Sequence, residues 1–271
     1  MKIGIVGGCF TDQHNIPFES LYHQTLKRLL IANEEKLEIR TIRYERISKC
    51  ATKTINFYDS YPFDLLIFHL RAEPIMRLSK LYYKYLDQQK KLRHSINFPP
   101  LNLIYPEKFD LLLNRQICSL RGDDTVETKF YHMLREANYS LGSLLGNKRY
   151  AFDLLEKSII QINQFCASKN VNFLLLGPVS RPFSRFENRI SEELNTRFEA
   201  LSAQKSINYL NLLKPFTADG RSMFFENGIH VSQEGHDEIA QMIFDKIVLL
   251  KLTGKCQANM QQQKPDYSTY H

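Results

Sequence analysis

Residues 2–11 read KIGIVGGCFT, and this segment decides the fold class of the chain. The short apolar run from Ile3 to Val6 is typical of a buried strand in a parallel sheet. It leads into Gly7 and Gly8, whose missing Cβ atoms allow a sharp turn and a close approach of the backbone to a ligand. Cys9 comes next, so the turn places a nucleophilic side chain at the mouth of the predicted sheet.

Apolar segments of strand length alternate with segments of helical periodicity along the rest of the chain. The further predicted strands are 37–44, 63–70, 171–176 and 207–212, and the predicted helices are 17–32, 75–91, 150–168, 188–204 and 234–252. This alternation predicts an α/β fold, a flavodoxin-like three-layer sandwich with a parallel sheet of about five strands. The ligand crevice of such a fold lies beyond the carboxyl ends of the strands.

Two segments depart from this pattern. Residues 94–146 contain several prolines and glycines, and we interpret them as a helical insertion, a lid or cap over the core. Residues 256–271 are polar and rich in glutamine, which predicts a disordered tail. The expected organisation is a single α/β domain over residues 1–255.

The net charge of +7 indicates either a solvated basic surface or an anionic partner. No dense Lys/Arg stripe and no matching motif accompanies it, so nucleic acid is not expected as a partner. The five cysteines form no CxxC pair, which speaks against a disulfide framework or a zinc site. Without a signal segment or a membrane-spanning apolar stretch, the sequence predicts a cytoplasmic protein that has no membrane partner. No metal or organic cofactor is expected.

A second chemical motif, ENGIHVSQEGH, occupies residues 226–236. His230 falls in a loop just before a predicted helix, where its side chain is free to point into the crevice. Asn227 can turn back to hydrogen-bond the imidazole and so select its tautomer, with Glu226 in reserve. His236, one turn into the helix, is interpreted as structural, and His69 in the third strand as a satisfied core histidine.

The two motifs together resemble the first and last conserved blocks of the SGNH (GDSL-type) hydrolases. Those blocks read Gly-Asp-Ser-x-Thr after the first strand and Asp-Gly-x-His before a Gly-His pair and a terminal helix. Residues 63–68, FDLLIF, are similar to the strand before the family's third block, and the cysteine segment resembles the GSCFA branch. The resemblance covers about residues 1–92 and 147–252. It implies the SGNH hydrolase fold, with Cys9 as nucleophile and His230 as base.

Two departures from the family pattern fit each other. Cys9 replaces the family's serine, and Asn227 replaces its aspartate. A thiol can form a thiolate–imidazolium pair before it attacks, and an uncharged asparagine then suffices to orient the histidine. Within the resemblance, the sequence therefore predicts a Cys9-His230-Asn227 triad. A turn into a helix would also lower the pKa of the Cys9 thiol.

The oxyanion-hole positions of the family are altered. Its third-block glycine and asparagine correspond to Arg71 and Glu73, and a carboxylate at position 73 would repel an oxyanion. Arg71 can supply positive charge, pair with Glu73, or join it in binding a charged substrate group. The predicted oxyanion and substrate-binding residues are Gly8, Arg46, Ser48, Arg71, Glu73 and Arg181.

The predicted function is that of an acyl-ester or thioester hydrolase or acyltransferase working through an acyl-cysteine, with a specialised biosynthetic role. Its expected partner is a small-molecule or carrier-bound acyl substrate, and the acceptor is water, an amine or an alcohol. The alternative is a non-catalytic ligand-binding protein on the same scaffold, because the oxyanion-hole residues are replaced.

Overall fold

The computed structural model describes residues 1–11, 16–31, 36–44, 46–77, 148–182, 185–213, 216, 223–225 and 230–250. Within these ranges the side chains of Cys9, Met76 and Arg77 are not described. The predicted insertion at 94–146, the predicted tail at 256–271 and the candidate residues Glu226 and Asn227 lie outside the described residues.

Five parallel strands form one sheet in the order β2-β1-β3-β4-β5, as the sequence predicts. The strands are β1 (Lys2–Gly7), β2 (Glu38–Arg43), β3 (Leu65–His69), β4 (Asn172–Leu176) and β5 (Asn208–Leu210). The described α-helices are α1 (Tyr22–Ile31), α2 (Ile47–Ser60), α3 (Glu73–Arg77), α4 (Lys148–Ser168), α5 (Arg185–Lys205) and α6 (Gln233–Leu249). Two short 3₁₀ helices span Cys9–Thr11 and Phe18–Ser20.

The strand order reverses between β1 and β3. Val6 of β1 pairs with Ile42 of β2 on one side and with Phe68 of β3 on the other. From β1 the chain moves first to the β2 edge, and after β2 it crosses to β3 and continues towards β5. A doubly wound sheet opens its ligand crevice at such a switch point, so the crevice belongs where β1 and β3 end.

Helices cover both faces of the sheet. Adjacent strand residues point to opposite faces, and accordingly Ile5 packs on the side of α1 and α6 whereas Val6 packs on the side of α2, α4 and α5. All five residues of β3 are buried, which explains its continuous apolar sequence. The result is the predicted three-layer sandwich.

Some predicted boundaries were wrong. The helix expected over 17–32 begins at Tyr22, and Phe18, assigned to its apolar face, is 60% exposed. The fifth strand is three residues long instead of six. Helix α2 was not predicted at all. No helix in the described part of the chain has the length and apolarity needed to cross a bilayer.

Candidate active site

The turn after β1 brings Cys9 to the switch point. Gly8 follows the strand, and Cys9 opens a three-residue 3₁₀ helix. Thr11 closes this turn, because its backbone N–H and its hydroxyl both donate to the carbonyl of Gly8, at 3.1 and 2.7 Å. The sequence predicts a turn into a helix that lowers the pKa of the Cys9 thiol, but the turn leads into a 3₁₀ helix and the first described α-helix begins only at Tyr22.

Gly8 is in close contact with the side chain of Arg71. A Cβ atom placed on Gly8 would lie 2.0 Å from Nε of Arg71. The same guanidinium donates from Nη1 to the carbonyl oxygen of Tyr44 at 2.9 Å. Position 8 thus has to be glycine for Arg71 to lie across the backbone next to Cys9.

Arg71 also forms an ion pair with Glu73, the first residue of α3. This pairing was one of the three roles that the sequence left open for Arg71. Both side chains line the cleft beyond the strand ends. The positive charge of Arg71 is therefore held in place and partly offset by a carboxylate.

Arg181 lies on the segment that follows β4, and the first turn of α5 holds it in position. Its Nε atom lies 3.1 Å from Oε1 of Glu187, in an ion pair whose side chains are only 9% and 5% exposed. Asn188 binds the backbone of Arg181 twice, accepting from its N–H and donating to its carbonyl, each at 2.7 Å. A buried arginine is thereby fixed in both backbone and side chain at the cleft wall.

His230 lies in a short irregular segment ahead of α6. Its carbonyl oxygen accepts from the N–H of Phe225 at 3.0 Å, and the neighbouring residue Val231 forms a bridge with Phe224. Burial, with a smaller effect of the positive charge of Arg181, lowers the pKa of His230 to about 4. At neutral pH the imidazole is uncharged and able to accept a proton.

The first and last motifs of the sequence converge on Arg181. Its guanidinium carbon lies 5.8 Å from the ring centroid of Phe10, the residue after Cys9. The same guanidinium is near enough to His230 to lower its pKa. Segments from opposite ends of the chain therefore both lie in the neighbourhood of Arg181. Asn227 is outside the described residues, so its role in a triad stays a prediction.

His69 is a site residue that sequence reasoning assigned to the core. It is 1% exposed at the end of β3 and lines the cleft, with its ring centroid 5.8 Å from that of Phe10. Its Nδ1 atom has no hydrogen-bond partner among the described residues, although a satisfied core histidine was expected. Burial, with a smaller effect of Arg71, lowers the pKa of His69 to about 3, so this ring is neutral.

The remaining predicted residues fall into two groups. Gly8, Arg71, Glu73 and Arg181 lie at the carboxyl edge around the cleft. Arg46 and Ser48 are exposed at the start of α2 and are not among the described residues that line the cleft. His236 is fully buried, as a structural residue should be, and its Nδ1 accepts from the N–H of Tyr22 at 3.2 Å.

Comparison with solved structures identifies the fold. The chain is similar to a protein from Desulfitobacterium hafniense described as lipolytic and of the G-D-S-L family, with 8% identity and a TM-score of 0.55 over 90% of this chain and 98% of that one. It is similar to a psychrotrophic esterase from Pseudoalteromonas sp., with 11% identity and a TM-score of 0.54 over 93% and 99% of the two chains. A catalytic mutant of an acetylxylan esterase from Geobacillus stearothermophilus gives 10% identity and a TM-score of 0.53 over 91% and 93%.

These likenesses show that the chain has the SGNH hydrolase fold, as the first and last motifs imply. No family model and no curated protein matches the chain. At such low identities the likeness to these structures establishes the fold alone. The chemistry therefore has to be argued from the residues at the cleft.

Proposed function

We propose that this protein is an acyl-ester or thioester hydrolase or acyltransferase that forms a covalent intermediate on Cys9. One observation carries the proposal: at the switch point of the sheet, Arg181 lies over the ring of Phe10, the residue after Cys9, and is near enough to His230 to act on its charge. The fold agrees with it, because the solved structures that share this fold include esterases.

The proposed reaction has two stages. In the first, the Sγ atom of Cys9 attacks the acyl carbonyl carbon and a C–S bond forms, while the thiol proton passes to His230. The C–O or C–S bond of the substrate then breaks, and His230 returns the proton to the leaving alcohol or thiol. In the second, water, an amine or an alcohol attacks the acyl carbonyl carbon and loses a proton to His230. The C–Sγ bond then breaks, and His230 returns the proton to the sulfur of Cys9.

The charges around His230 favour proton transfer during the attack. Arg181 opposes the imidazolium form of His230 and lowers its pKa. This works against the ready-made thiolate–imidazolium pair that the sequence predicts, because one half of that pair would lie beside a guanidinium. A neutral imidazole that takes the thiol proton only as the C–S bond forms fits these charges better.

The oxyanion of the tetrahedral intermediate needs donors on the Cys9 side of the cleft. We assign that role to the backbone N–H of Cys9 together with Arg71, whose guanidinium packs against Gly8. Tyr44 and Glu73 keep this guanidinium in place before substrate arrives. Preorganised donors of this kind stabilise developing charge without having to reorient.

The protein's proposed setting is the cytoplasm, in a specialised biosynthetic pathway with a small-molecule or carrier-bound acyl substrate. Cys50 and Cys166 are free and buried, which agrees with a reducing compartment. The replacement of the family's oxyanion residues by Arg71 and Glu73 agrees with a dedicated substrate.

Trapping of the acyl-enzyme tests the proposal. The full chain is incubated with 4-nitrophenyl acetate and with an acetyl thioester, quenched in acid, and digested for mass spectrometry. An acetyl group on Cys9 that is absent in Cys9→Ala and forms at least ~100-fold more slowly in His230→Ala is the expected result. Cys166→Ala is the matched control, because burial raises the pKa of that thiol to about 12 and it should not react.

The contrary outcome supports the binding-protein alternative. If no acyl group accumulates or turns over, and iodoacetamide labels Cys9 at the same slow rate in the wild type and in His230→Ala, Cys9 is not a nucleophile. The cleft with its paired arginines and glutamates would then serve ligand binding alone.

A further inference from the structure

The Arg181 guanidinium has hydrogen-bonding capacity that the described residues do not use. Glu187 approaches its Nε atom, and Asn188 binds only the backbone of the residue. No described residue accepts a hydrogen bond from the two terminal nitrogens, although the side chain is more than nine-tenths buried. Because a guanidinium carries five N–H donors, the described residues leave the edge formed by Nη1 and Nη2 unused at the cleft wall.

A second buried polar atom in the same cleft also lacks a described partner. His69 Nδ1 is inaccessible to solvent and unpaired among the described residues. A hydrogen bond with the backbone of Gly177 raises the pKa of His69 against the larger effect of burial. Buried polar atoms are rarely left unpaired in native proteins, so the unpaired His69 Nδ1 in the same cleft as the Arg181 guanidinium indicates a polar ligand.

The charges of the cleft select the kind of anion. Arg71 is paired with Glu73 and Arg181 with Glu187, so the two cations and two carboxylates of the cleft cancel. A carboxylate places a single charge at the edge of Arg181, and a second carboxylate on the same small molecule could lie beside Arg71. A phosphate dianion would place both of its charges at one edge, next to Glu187. Planar carboxylates match the fork of a guanidinium with two parallel hydrogen bonds.

We propose that Arg181 binds a carboxylate carried by the acyl group, so that the substrates are monoesters or monothioesters of dicarboxylic acids. This inference rests on the proposed acyl chemistry and adds the substrate class. Such a carboxylate would also offset the positive charge beside His230. An anionic acyl group would thereby strengthen the base that acts on it, whereas a plain fatty acyl group would not.

Equilibrium binding measured by calorimetry tests the substrate class without any need for turnover. The probes are glutarate, succinate, butyrate and inorganic phosphate, each titrated into the full wild-type chain. Glutarate or succinate should bind at least ~10-fold more tightly than butyrate and than phosphate, and Arg181→Gln should abolish the preference. Arg197→Gln is the matched control, since Arg197 pairs with Asp153 between α5 and α4, away from the cleft.

A second variant guards against simple loss of folding. Removal of Arg181 alone leaves Glu187 buried without its partner, which is destabilising. The double variant Arg181→Gln/Glu187→Gln removes both charges and should remain folded while losing the preference for dicarboxylates. Circular dichroism and a urea titration establish that each variant is folded before binding is measured.

The outcomes separate this inference from the proposed function. If Cys9 is acylated but glutarate and succinate bind no better than butyrate, the acyl chemistry stands and the carboxylate site is overturned. Tighter binding of phosphate would assign the site to phosphoryl groups and also overturn it. If dicarboxylates bind in a manner that depends on Arg181 but Cys9 never reacts, the carboxylate site is supported and the proposed acyl chemistry is overturned.

Discussion

The proposed base His230 lies within the electrostatic influence of a cation, Arg181. General bases are commonly assisted by an anionic or neutral partner that stabilises their protonated form. Here the guanidinium acts in the opposite direction and, together with burial, lowers the pKa of His230 to about 4. The lowered pKa makes His230 a weaker base, while the same guanidinium places a positive charge near the turn that carries Cys9.

Replacing Arg181 should therefore raise the pKa of His230. In Arg181→Gln we expect this pKa to rise above 4 but to stay below the ordinary value of 6.5, because burial is its larger cause. The measurement is an NMR pH titration of the imidazole Cε1–H signal in the wild type and the variant. Arg197→Gln should leave the titration unchanged, and an equal pKa in Arg181→Gln and the wild type would contradict the assignment.

Gly8 is expected to tolerate no side chain as long as Arg71 keeps its place. In Gly8→Ala the new methyl group would collide with Arg71 Nε, so the guanidinium must leave Gly8 and its hydrogen bond to Tyr44. We expect Gly8→Ala to lower the free energy of unfolding by about 1–3 kcal/mol, a normal range for overpacking.

The collision can be isolated by a double-mutant cycle. In the Arg71→Ala background the space is open, so Gly8→Ala should cost little. The coupling energy from urea unfolding of the four proteins should be about 1 kcal/mol or more. Strictly additive costs would show that some other contact requires the glycine.

The first turn of α5 holds Arg181 in position through Glu187 and Asn188. Asn188→Ala removes both side-chain bonds to the Arg181 backbone, and we expect a loss of about 1–2 kcal/mol in the free energy of unfolding. Affinity for glutarate should fall as well, because Arg181 loses its orientation. Urea titration and calorimetry provide the two readouts.

Thr196→Ala is the matched control on the same helix. Its hydroxyl donates to the Glu192 carbonyl within α5, at 3.0 Å and in an exposed position. Its loss should cost less than about 0.5 kcal/mol and leave glutarate binding unchanged. If both variants behave alike, the first turn of α5 does not position Arg181.

The helices and strands that the sequence predicts well are those with large apolar residues at regular spacing. Strand β3 is an unbroken apolar run, and α4 and α6 keep helical spacing over many turns. The buried residues of helix α2 recur at helical spacing, but several of them are small or polar, such as Cys50, Ala51 and Thr54, so the hydrophobic pattern in the sequence is weak. Such a face is visible only once the partner helix α4 packs against it.

The same distinction applies to the candidate site. Cys9 and His230 stand in local motifs that point to chemistry, and the strand rule places Arg71, Glu73 and Arg181 at the right edge of the sheet. The pairing of Arg181 with Glu187 and the unpaired Nδ1 atom of His69 depend on which helix and which backbone segment pack against these side chains. Those contacts belong to the tertiary structure, and no spacing in the sequence encodes them.

For the molecule as a whole, buried neutral histidines set the response to acid. Burial lowers the pKa of His69 to about 3 and that of His236 to about 4, against 6.5 for the free side chain. Below pH 6.5 the unfolded chain therefore binds protons that the folded chain does not. Stability is unaffected above that pH and falls as the solution is acidified, until the folded-state pKa is reached.

The loss should be large enough to measure. At pH 5 each of these two histidines should lower the free energy of unfolding by about 2 kcal/mol relative to pH 8. His236→Asn keeps an acceptor near the N–H of Tyr22 while removing the titrating group. Urea unfolding at pH 8 and pH 5 should show a difference about 2 kcal/mol smaller in this variant than in the wild type. An identical difference would mean that His236 is protonated in the folded protein, and that the contact between α1 and α6 holds a charge rather than a neutral ring.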